Sequence, residues 1–454
     1  MENGLEKKYG IFTAIAMVIG IVIGSGVFFK AEKILVATGG DLSLGILAWI
    51  LGGLIMIVCA YVFAIMATRY EKVNGVVDYA EATVGSTYAY FVGWFMTTIY
   101  YPSLTSVLAW VSARYTCVLL GWDIVGPEAM SIAGFFLVAS YALNALSPKL
   151  AGKFQVSTTV IKLIPLVLMA IFGTITGLRN GILIENFTSG VIAEVTTSSP
   201  LFTAVVATAF AYEGWIIATS INAELRDAKK NLPRALTFGT IFVALIYILY
   251  YTGLAGAVEN SVIMAGGETG AKIAFSTVFT SLGGSILFVF VVISCLGTLN
   301  GLMMGAVRGF YSLAARDLGP KPTTLKNVDI NTNMPSNSAV LGLLFSGIWL
   351  LYFFGANLVP EPWFGFFSFD SSELPIVTLY AMYIPIILMM IVKERSLSVF
   401  KRILMPVIAI FACIFMVVAA VYAHGVITVL CYLGIYAVVM LIGAFFFNKK
   451  SAKA

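Results

Sequence analysis

The chain has 454 residues, of which 60% are hydrophobic and only 11% are charged, and its mean hydropathy is +0.97. Soluble domains usually carry about 25% charged residues, so this composition excludes an ordinary soluble protein and indicates a polytopic membrane protein. In a membrane protein the net charge of +5 reflects basic residues in the loops, which indicate the topology of the chain. No nucleic-acid partner is expected.

Twelve apolar segments follow one another along the chain, each long enough for the roughly 20 residues that a membrane-spanning helix needs. We therefore predict an all-α membrane protein with a single integral domain, 1–454. No cleavage site follows the first segment, which is expected to be a retained span. The predicted spans are 10–36, 42–68, 86–118, 129–147, 154–178, 201–222, 235–258, 274–312, 337–356, 370–392, 402–422 and 425–447.

Basic residues support this number of spans. With the N-terminus placed in the cytoplasm, 21 of the 27 lysines and arginines fall on the cytoplasmic side, five fall outside, and Lys162 lies within a span. Cytoplasmic loops of membrane proteins carry such an excess of positive charge. The pattern predicts a multi-pass protein of the cell membrane with both termini in the cytoplasm.

The first span contains the sequence IGIVIGSGVFF at Ile19–Phe29, in which Gly20, Gly24 and Gly26 surround Ser25. Glycine costs about 1 kcal/mol relative to alanine inside a helix, so this cluster favours a break in the middle of the span. The amides at the start of the second half-helix would then suit a carboxylate. The alternative is that the glycines only allow a neighbouring helix to approach closely.

The sixth span, Thr203–Ser220, carries Glu213 beside Gly214 at its centre. A charged residue at that depth indicates an interior, functional position. Two interrupted spans in corresponding halves of a chain are typical of transporters with an inverted repeat. The predicted repeats are 1–180 and 200–392, followed by two appended helices at 400–447.

Five sequence features resemble one family of transporters. They are GIVIGSGVF at Gly20–Phe28, FAYEGW at Phe210–Trp215, the loop Glu224–Arg234, Lys162 within STTVIKLIPLV, and SCLGTLNG at Ser294–Gly301. These resemble motifs of the amino acid–polyamine–organocation superfamily, and in particular of its L-type amino acid transporter branch. The resemblance implies a LeuT-type fold of 12 helices with spans one and six broken, and the transport of L-amino acids without a cofactor. Glu213 departs from the family pattern, which has a glycine there.

The resemblance also implies roles for individual residues. The α-carboxylate of the substrate would bind at Gly24, Ser25 and Gly26. The ammonium of the substrate would bind where the sixth span is unwound, at Phe210, Ala211, Glu213 and Gly214. Phe210 would act as an aromatic gate together with Trp215. Lys162 would replace the sodium ion of coupled relatives by bridging the first span to Ser294 and Thr298.

Other interpretations of these residues remain open. Glu213 could pair with a cationic substrate, carry a proton, or serve as a structural acid bonded to neighbouring helices. Lys162 could instead extend its side chain toward the cytoplasm, and Phe210 and Trp215 could be ordinary packing residues. The single histidine, His424, is expected to be exposed in a turn. Asp370 and Glu373 are expected at a solvated helix start, or else along the outer vestibule.

Function classes other than a carrier lack their characteristic residues. An ATP-driven pump would need a phosphate-binding loop, and the only Gly-Lys pair, Gly152-Lys153, is not part of one. The sequence also shows no nucleophile–base pair and no metal-like cluster, so neither an enzyme nor a metal site is expected. The five cysteines are expected to be buried. Eukaryotic members of the branch pair with a glycoprotein through an outer cysteine; here Cys117 is the nearest candidate, and we expect no partner subunit.

The sequence thus predicts a secondary carrier that works by alternating access. The expected mode is sodium-independent exchange of neutral or small amino acids. The alternative is proton-coupled uptake, including uptake of cationic amino acids or amines that pair with Glu213. A channel and a sensor without flux are further possibilities that only transport measurements separate.

Overall fold

The computed structural model describes residues 10–70, 75–195, 197, 199–217, 219 and 225–451. Within these residues, eleven helices are long and apolar enough to cross a membrane. Two shorter helices, Ala14–Val22 and Ser25–Ala37, are bent by 41° at a short break and together form a twelfth span. The predicted all-α architecture of 12 spans is therefore confirmed.

The helices are numbered here in chain order. The first half of the chain contains α1 (Ile11–Val22), α2 (Ser25–Ala37), α3 (Leu42–Arg69), α4 (Val76–Thr83), α5 (Ser86–Leu120), α6 (Pro127–Leu146), α7 (Pro148–Asn180) and α8 (Ile182–Thr188). The second half contains α9 (Pro200–Ala211), α10 (Ala228–Ala257), α11 (Asn260–Gly266), α12 (Glu268–Ala314), α13 (Pro322–Leu325), α14 (Ser336–Asn357), α15 (Leu374–Lys393), α16 (Phe400–His424) and α17 (Val426–Ser451).

The predicted span boundaries agree with these helices to within several residues at most ends. The largest differences are at the starts of α7, α10 and α12, each of which begins six or seven residues earlier than predicted. Polar residues such as Lys153 and Arg234 lie in these additional turns, which a hydropathy pattern does not assign to a span. Part of the predicted sixth span and Glu224 lie outside the described residues.

The backbone leaves the helical conformation at the break between α1 and α2, and close packing there requires glycine. Gly24 adopts φ −152° and ψ −145°, which is not helical. An added Cβ at Gly24 would lie 1.9 Å from Oγ1 of Thr298, and one at Gly26 would lie 2.4 Å from Cα of Ala211. The predicted interruption is therefore present, and the same glycines also allow close packing on α9 and α12.

The sixth span is also interrupted. α9 ends at Ala211, a turn follows at residues 212–214, and a short 3₁₀ segment begins at Trp215. Gly214 has φ +104°, a value that residues other than glycine rarely adopt. Because α2 packs against α9, the two interruptions lie side by side in the core.

Four of the five cysteines are buried as expected, and Cys431 is not. Cys59, Cys117, Cys295 and Cys413 are buried, and Cys431 is half-buried. None of them forms a disulfide in the described structure, although the sulfurs of Cys59 and Cys413 are 3.8 Å apart.

The expectation for His424 is wrong. This residue ends α16, its side chain is only 15% exposed, and its Nε2 lies 3.0 Å from Oε2 of Glu373. Glu373 is buried as well, so the helix start that was expected to be solvated is enclosed. The sequence gives no indication of this contact, because the partner of His424 comes from a different span.

Candidate functional site

The two interruptions enclose one small cavity of about 20 Å³, room for roughly one water molecule. It has backbone from both broken spans on one side and apolar side chains of α5 and α12 on the other. The lining residues are Ile21, Val22, Gly24, Ser25, Gly26, Leu104, Leu108, Phe210, Glu213, Gly214, Thr298 and Leu302. Most of the site residues predicted from the sequence are thus brought together.

The start of α2 forms the polar end of this cavity. The first amides of a helix have no acceptor within it and carry the positive end of its dipole. Ser25 begins α2, and its buried hydroxyl has no hydrogen-bond partner among the described residues. Free amides and a hydroxyl facing a cavity are suited to bind an anionic oxygen.

Tyr247 connects the two interruptions and was not predicted from the sequence. Its hydroxyl lies 3.0 Å from the carbonyl oxygen of Val22 and 3.2 Å from that of Ala211, and it is a donor to both. These carbonyls lie at the ends of α1 and α9, where helical partners are missing. With 21 tyrosines in the chain, nothing in the sequence distinguishes this one.

Glu213 is held in position by a residue of α5. Its carboxylate accepts a hydrogen bond from the hydroxyl of Tyr100, and both side chains are buried. Tyr100 ends a π-helical turn, Met96–Tyr100, which widens α5 at this level; such turns are frequent at functional sites. No lysine, arginine or histidine lines the cavity beside Glu213 in the described structure.

Phe210 and Trp215 occupy different environments. The ring of Phe210 lines the cavity, packs 6.0 Å from that of Phe29, and lies 5.3 Å from Nζ of Lys30. Trp215 is fully buried at 5.6 Å from Phe63 and does not line the cavity as described here. Only Phe210 is therefore in a position to contact a substrate directly in this conformation.

Lys162 reaches the broken first span. Its Nζ donates a hydrogen bond over 2.7 Å to the carbonyl oxygen of Gly20. That carbonyl has no helical partner, because the last helical hydrogen bond of α1 runs from the amide of Ile23 to the carbonyl oxygen of Ile19, one residue before Gly20. Lys162 is fully buried, so the alternative that it extends toward the cytoplasm is wrong.

The expected bridge from Lys162 to α12 is not formed through the side chains named. Ser294 has a buried hydroxyl without a hydrogen-bond partner in the described part of the chain, and Thr298 donates to the backbone oxygen of Ser294 over 3.2 Å. The contact between the two helices is made by packing instead. An added Cβ at Gly297 of α12 would lie 2.6 Å from Oγ1 of Thr158 on α7.

A buried charge cluster lies above Phe210. Nζ of Lys30 donates to Oε1 of Glu373 over 2.5 Å and to Oγ of Ser372 over 3.1 Å, while His424 approaches the other carboxylate oxygen. Lys30, Ser372, Glu373 and His424 are called the Lys30 cluster below. Burial alone would raise the pKa of Glu373, but the charges of Lys30 and His424 outweigh it, and the pKa lies well below its ordinary value.

Comparison with known proteins decides the family. The profile of the amino acid permease family matches residues 9–446. The chain belongs to this family. The expected resemblance to the L-type branch of the superfamily is confirmed, and the permease is a transporter of amino acids and not an enzyme.

Two relatives and one solved structure illustrate this placement. The permease is 31% identical to the serine/threonine exchanger SteT of Bacillus subtilis over 335 residues, which cover 74% of each chain. It is 25% identical to the human large neutral amino acids transporter small subunit 2 over 353 residues, 76% of this chain and 63% of that one. The structure of MhsT in complex with L-phenylalanine matches 92% of this chain and 100% of that chain with a TM-score of 0.63 at 14% identity, which confirms the LeuT-type fold.

Proposed function

We propose that this permease exchanges neutral or small L-amino acids across the cell membrane without sodium, by alternating access. The observation that carries this proposal is the hydrogen bond from Lys162 to Gly20. It places the amine of Lys162 on the carbonyl that the break in the first span exposes, which Nε2 of Gln155 also approaches over 3.4 Å, and in this proposal the amine occupies the position of a bound cation. A transporter with a built-in cation there has no need of sodium.

In this proposal the two interruptions hold the two ends of the substrate. The amides of Gly24, Ser25 and Gly26 bind the carboxylate, because they lie at the positive end of α2. The carbonyls of Phe210 and Ala211 accept hydrogen bonds from the ammonium. Recognition by backbone at both ends leaves the side chain of the substrate free to vary, and the remaining lining residues then set which side chains are accepted.

The size and lining of the cavity favour small side chains. A cavity of about 20 Å³ cannot hold an amino acid, so the site has to widen before binding, and Leu104, Leu108 and Leu302 limit how far. The printed name of the relative SteT, a serine/threonine exchanger, supports the same substrate class.

Access to the cavity is controlled at two levels in this proposal. Phe210 covers the substrate, and Trp215, which packs against Phe63 and Tyr383, is the second gate residue. The Lys30 cluster then closes the outer face, because it ties α2 to α15 and α16 directly above Phe210. Both termini lie in the cytoplasm, the two repeats and the appended helices form one domain, and no partner subunit is needed.

Counterflow in proteoliposomes tests this function. Purified permease is reconstituted with or without internal serine, and uptake of labelled serine is measured against a panel of competing amino acids, with and without sodium. Uptake that requires internal substrate and is unchanged by sodium is expected. Uptake into empty vesicles that depends on a sodium gradient would refute exchange, and linear uptake that does not saturate would indicate a channel.

Proton-coupled uptake is the second candidate, and the burial of Glu213 in the lining of the cavity favours it. A carboxylate that lines the cavity and has one hydroxyl partner could take up a proton together with the substrate. In that case an inward pH gradient drives accumulation without internal substrate, and Glu213→Gln abolishes that response while leaving counterflow intact. The same assay with lysine as competitor shows whether Glu213 admits cationic side chains.

A further inference from the structure

The loop between α14 and α15 carries an unusual set of aromatic side chains. Four of the five residues from 363 to 367 are aromatic, and all four are exposed: Trp363 by 57%, Phe364 by 38%, Phe366 by 80% and Phe367 by 51%. The transport mechanism above uses none of them. Exposed apolar patches on an ordered segment commonly mark a binding surface.

This loop folds back along α14 and does not extend away from it. The amide of Trp363 donates to the carbonyl oxygen of Gly355 over 2.9 Å, and its ring covers Gly355 so closely that a Cβ there would lie 2.4 Å away. Further along, the hydroxyl of Tyr352 donates to the carbonyl oxygen of Phe367 over 2.7 Å. Gly355 and Tyr352 lie two and five residues before the end of α14, which places the loop about 3 to 8 Å below that end.

At that depth the loop is next to lipid. α14 has 22 residues and is about 33 Å long, close to the thickness of the hydrocarbon core of about 30 Å. Its exposed residues form an apolar stripe that leads toward the loop. These residues are Val340, Leu344, Ile348 and Leu351, each more than half exposed. The aromatic loop therefore continues the lipid-facing surface of α14.

The backbone of the loop is suited to this environment. Amide groups that face lipid need partners within the protein, since no water is available there. Within 363–369, five of the seven amides donate to acceptors in the loop or in α14. The donors are the amides of Trp363, Gly365, Phe367, Ser368 and Phe369. A loop that extended into water would not require this.

We infer that residues 363–367 form a membrane anchor that inserts into the edge of the hydrocarbon core, at the end of the bundle that carries Lys30. Phe366 is the most exposed of the four. Trp363 is of a residue type that is enriched where the hydrocarbon core meets the membrane–water interface. The anchor continues directly into Asp370, Ser372 and Glu373, so the bilayer holds the segment that closes the Lys30 cluster.

Spin labelling in proteoliposomes tests this inference. Phe366→Cys is labelled in a Cys431→Ser background, since the other four native cysteines are buried. Collision with oxygen, which concentrates in lipid, is compared with collision with a water-soluble nickel chelate. Leu441→Cys, on the exposed face of α17, is the lipid control, and Asn331→Cys, in the exposed loop before α14, is the water control.

The expected result is an oxygen-to-nickel ratio at 366 close to that of the Leu441 control. A ratio equal to that of the Asn331 control would overturn the inference, because the loop would then lie in water. Low collision rates with both reagents would also overturn it, since the loop would then be covered by a second copy or another protein. Labelling at Phe367 repeats the test if the Phe366 variant does not retain substrate counterflow.

Discussion

Nζ of Lys162 and the carbonyl oxygen of Gly20 are 2.7 Å apart, and this bond takes the place of the helical bond that α1 loses where it breaks. A hydrogen bond that involves a charged group is worth about 1.5–3 kcal/mol, which corresponds to roughly 10- to 150-fold in an equilibrium or rate. The interrupted state of the first span therefore depends on this amine, with Nε2 of Gln155 as a second and longer donor to the same carbonyl, at 3.4 Å.

Replacing this lysine tests that dependence. Lys162→Ala is expected to lower the initial rate of counterflow at least about tenfold, while the purified protein still elutes as a folded species in gel filtration. Lys153→Ala is the matched control, because Lys153 is an exposed lysine on the same helix. Equal rates for Lys162→Ala and the control would remove the basis for the sodium-independent mechanism.

Gly26 offers a test of the contact between the two interruptions. Gly26→Ala is expected to abolish transport and to destabilise the protein by about 1–3 kcal/mol, since the added Cβ would lie 2.4 Å from the backbone of Ala211. The measurement is a thermal shift assay together with counterflow. Gly134→Ala serves as the control, because a Cβ at Gly134 meets no atom within 4 Å. A fully active Gly26→Ala variant would show that the two backbones do not need to touch.

Tyr247 is expected to set the distance between the ends of α1 and α9. Tyr247→Phe removes the hydroxyl that both carbonyls share and should raise KM for exchange severalfold, since each lost hydrogen bond costs about 0.5–1.5 kcal/mol. Tyr250→Phe on the same helix is the control, because its buried hydroxyl has no partner among the described residues. If both variants raise KM equally, the effect comes from packing and not from the hydrogen bonds.

The Lys30 cluster predicts a defined pH dependence of stability. The pKa of Glu373 is lowered in the folded protein, so its stabilising contribution is complete above the ordinary carboxyl pKa of about 4.3 and is lost as the pH falls below it. Removing one partner of a buried ion pair costs about 3–5 kcal/mol. Glu373→Gln should therefore lower Tm between pH 5 and pH 8, and the difference from wild type should shrink in more acidic buffer.

The control for this measurement is Glu361→Gln, which changes an exposed carboxylate in the preceding loop. It should leave Tm unchanged throughout the same range. A Tm difference for Glu373→Gln that grows as the pH falls would contradict the ion pair, because protonation of Glu373 can only weaken its attraction to Lys30.

The parts of the site that follow from local sequence were predictable. The glycines around Ser25 and the pair Glu213-Gly214 interrupt their own spans, and interruption is a local property of the backbone. The residues that organise these interruptions from other helices were not predictable. Tyr247 and Tyr100 belong to spans that contain several other tyrosines, and their importance depends entirely on which carbonyl or carboxylate each one faces.

The contact between Lys30 and Glu373 illustrates the same limit at greater distance, since 343 residues separate the two. Hydropathy assigned each of them to the edge of a span, where a charge is expected to face water. Tertiary packing encloses both, and each side chain neutralises the other. A single sequence without its three-dimensional contacts gives no means of pairing one particular lysine with one particular glutamate.

His424 closes α16, one of the two helices that lie beyond the predicted repeats. A chain shortened at residue 399 would keep every residue that lines the cavity, yet Oε2 of Glu373 would lose its nearby imidazole in an enclosed position. The terminal helices are thus more than a lipid-facing addition to the predicted repeats, because His424 contributes one side of the enclosure around Glu373.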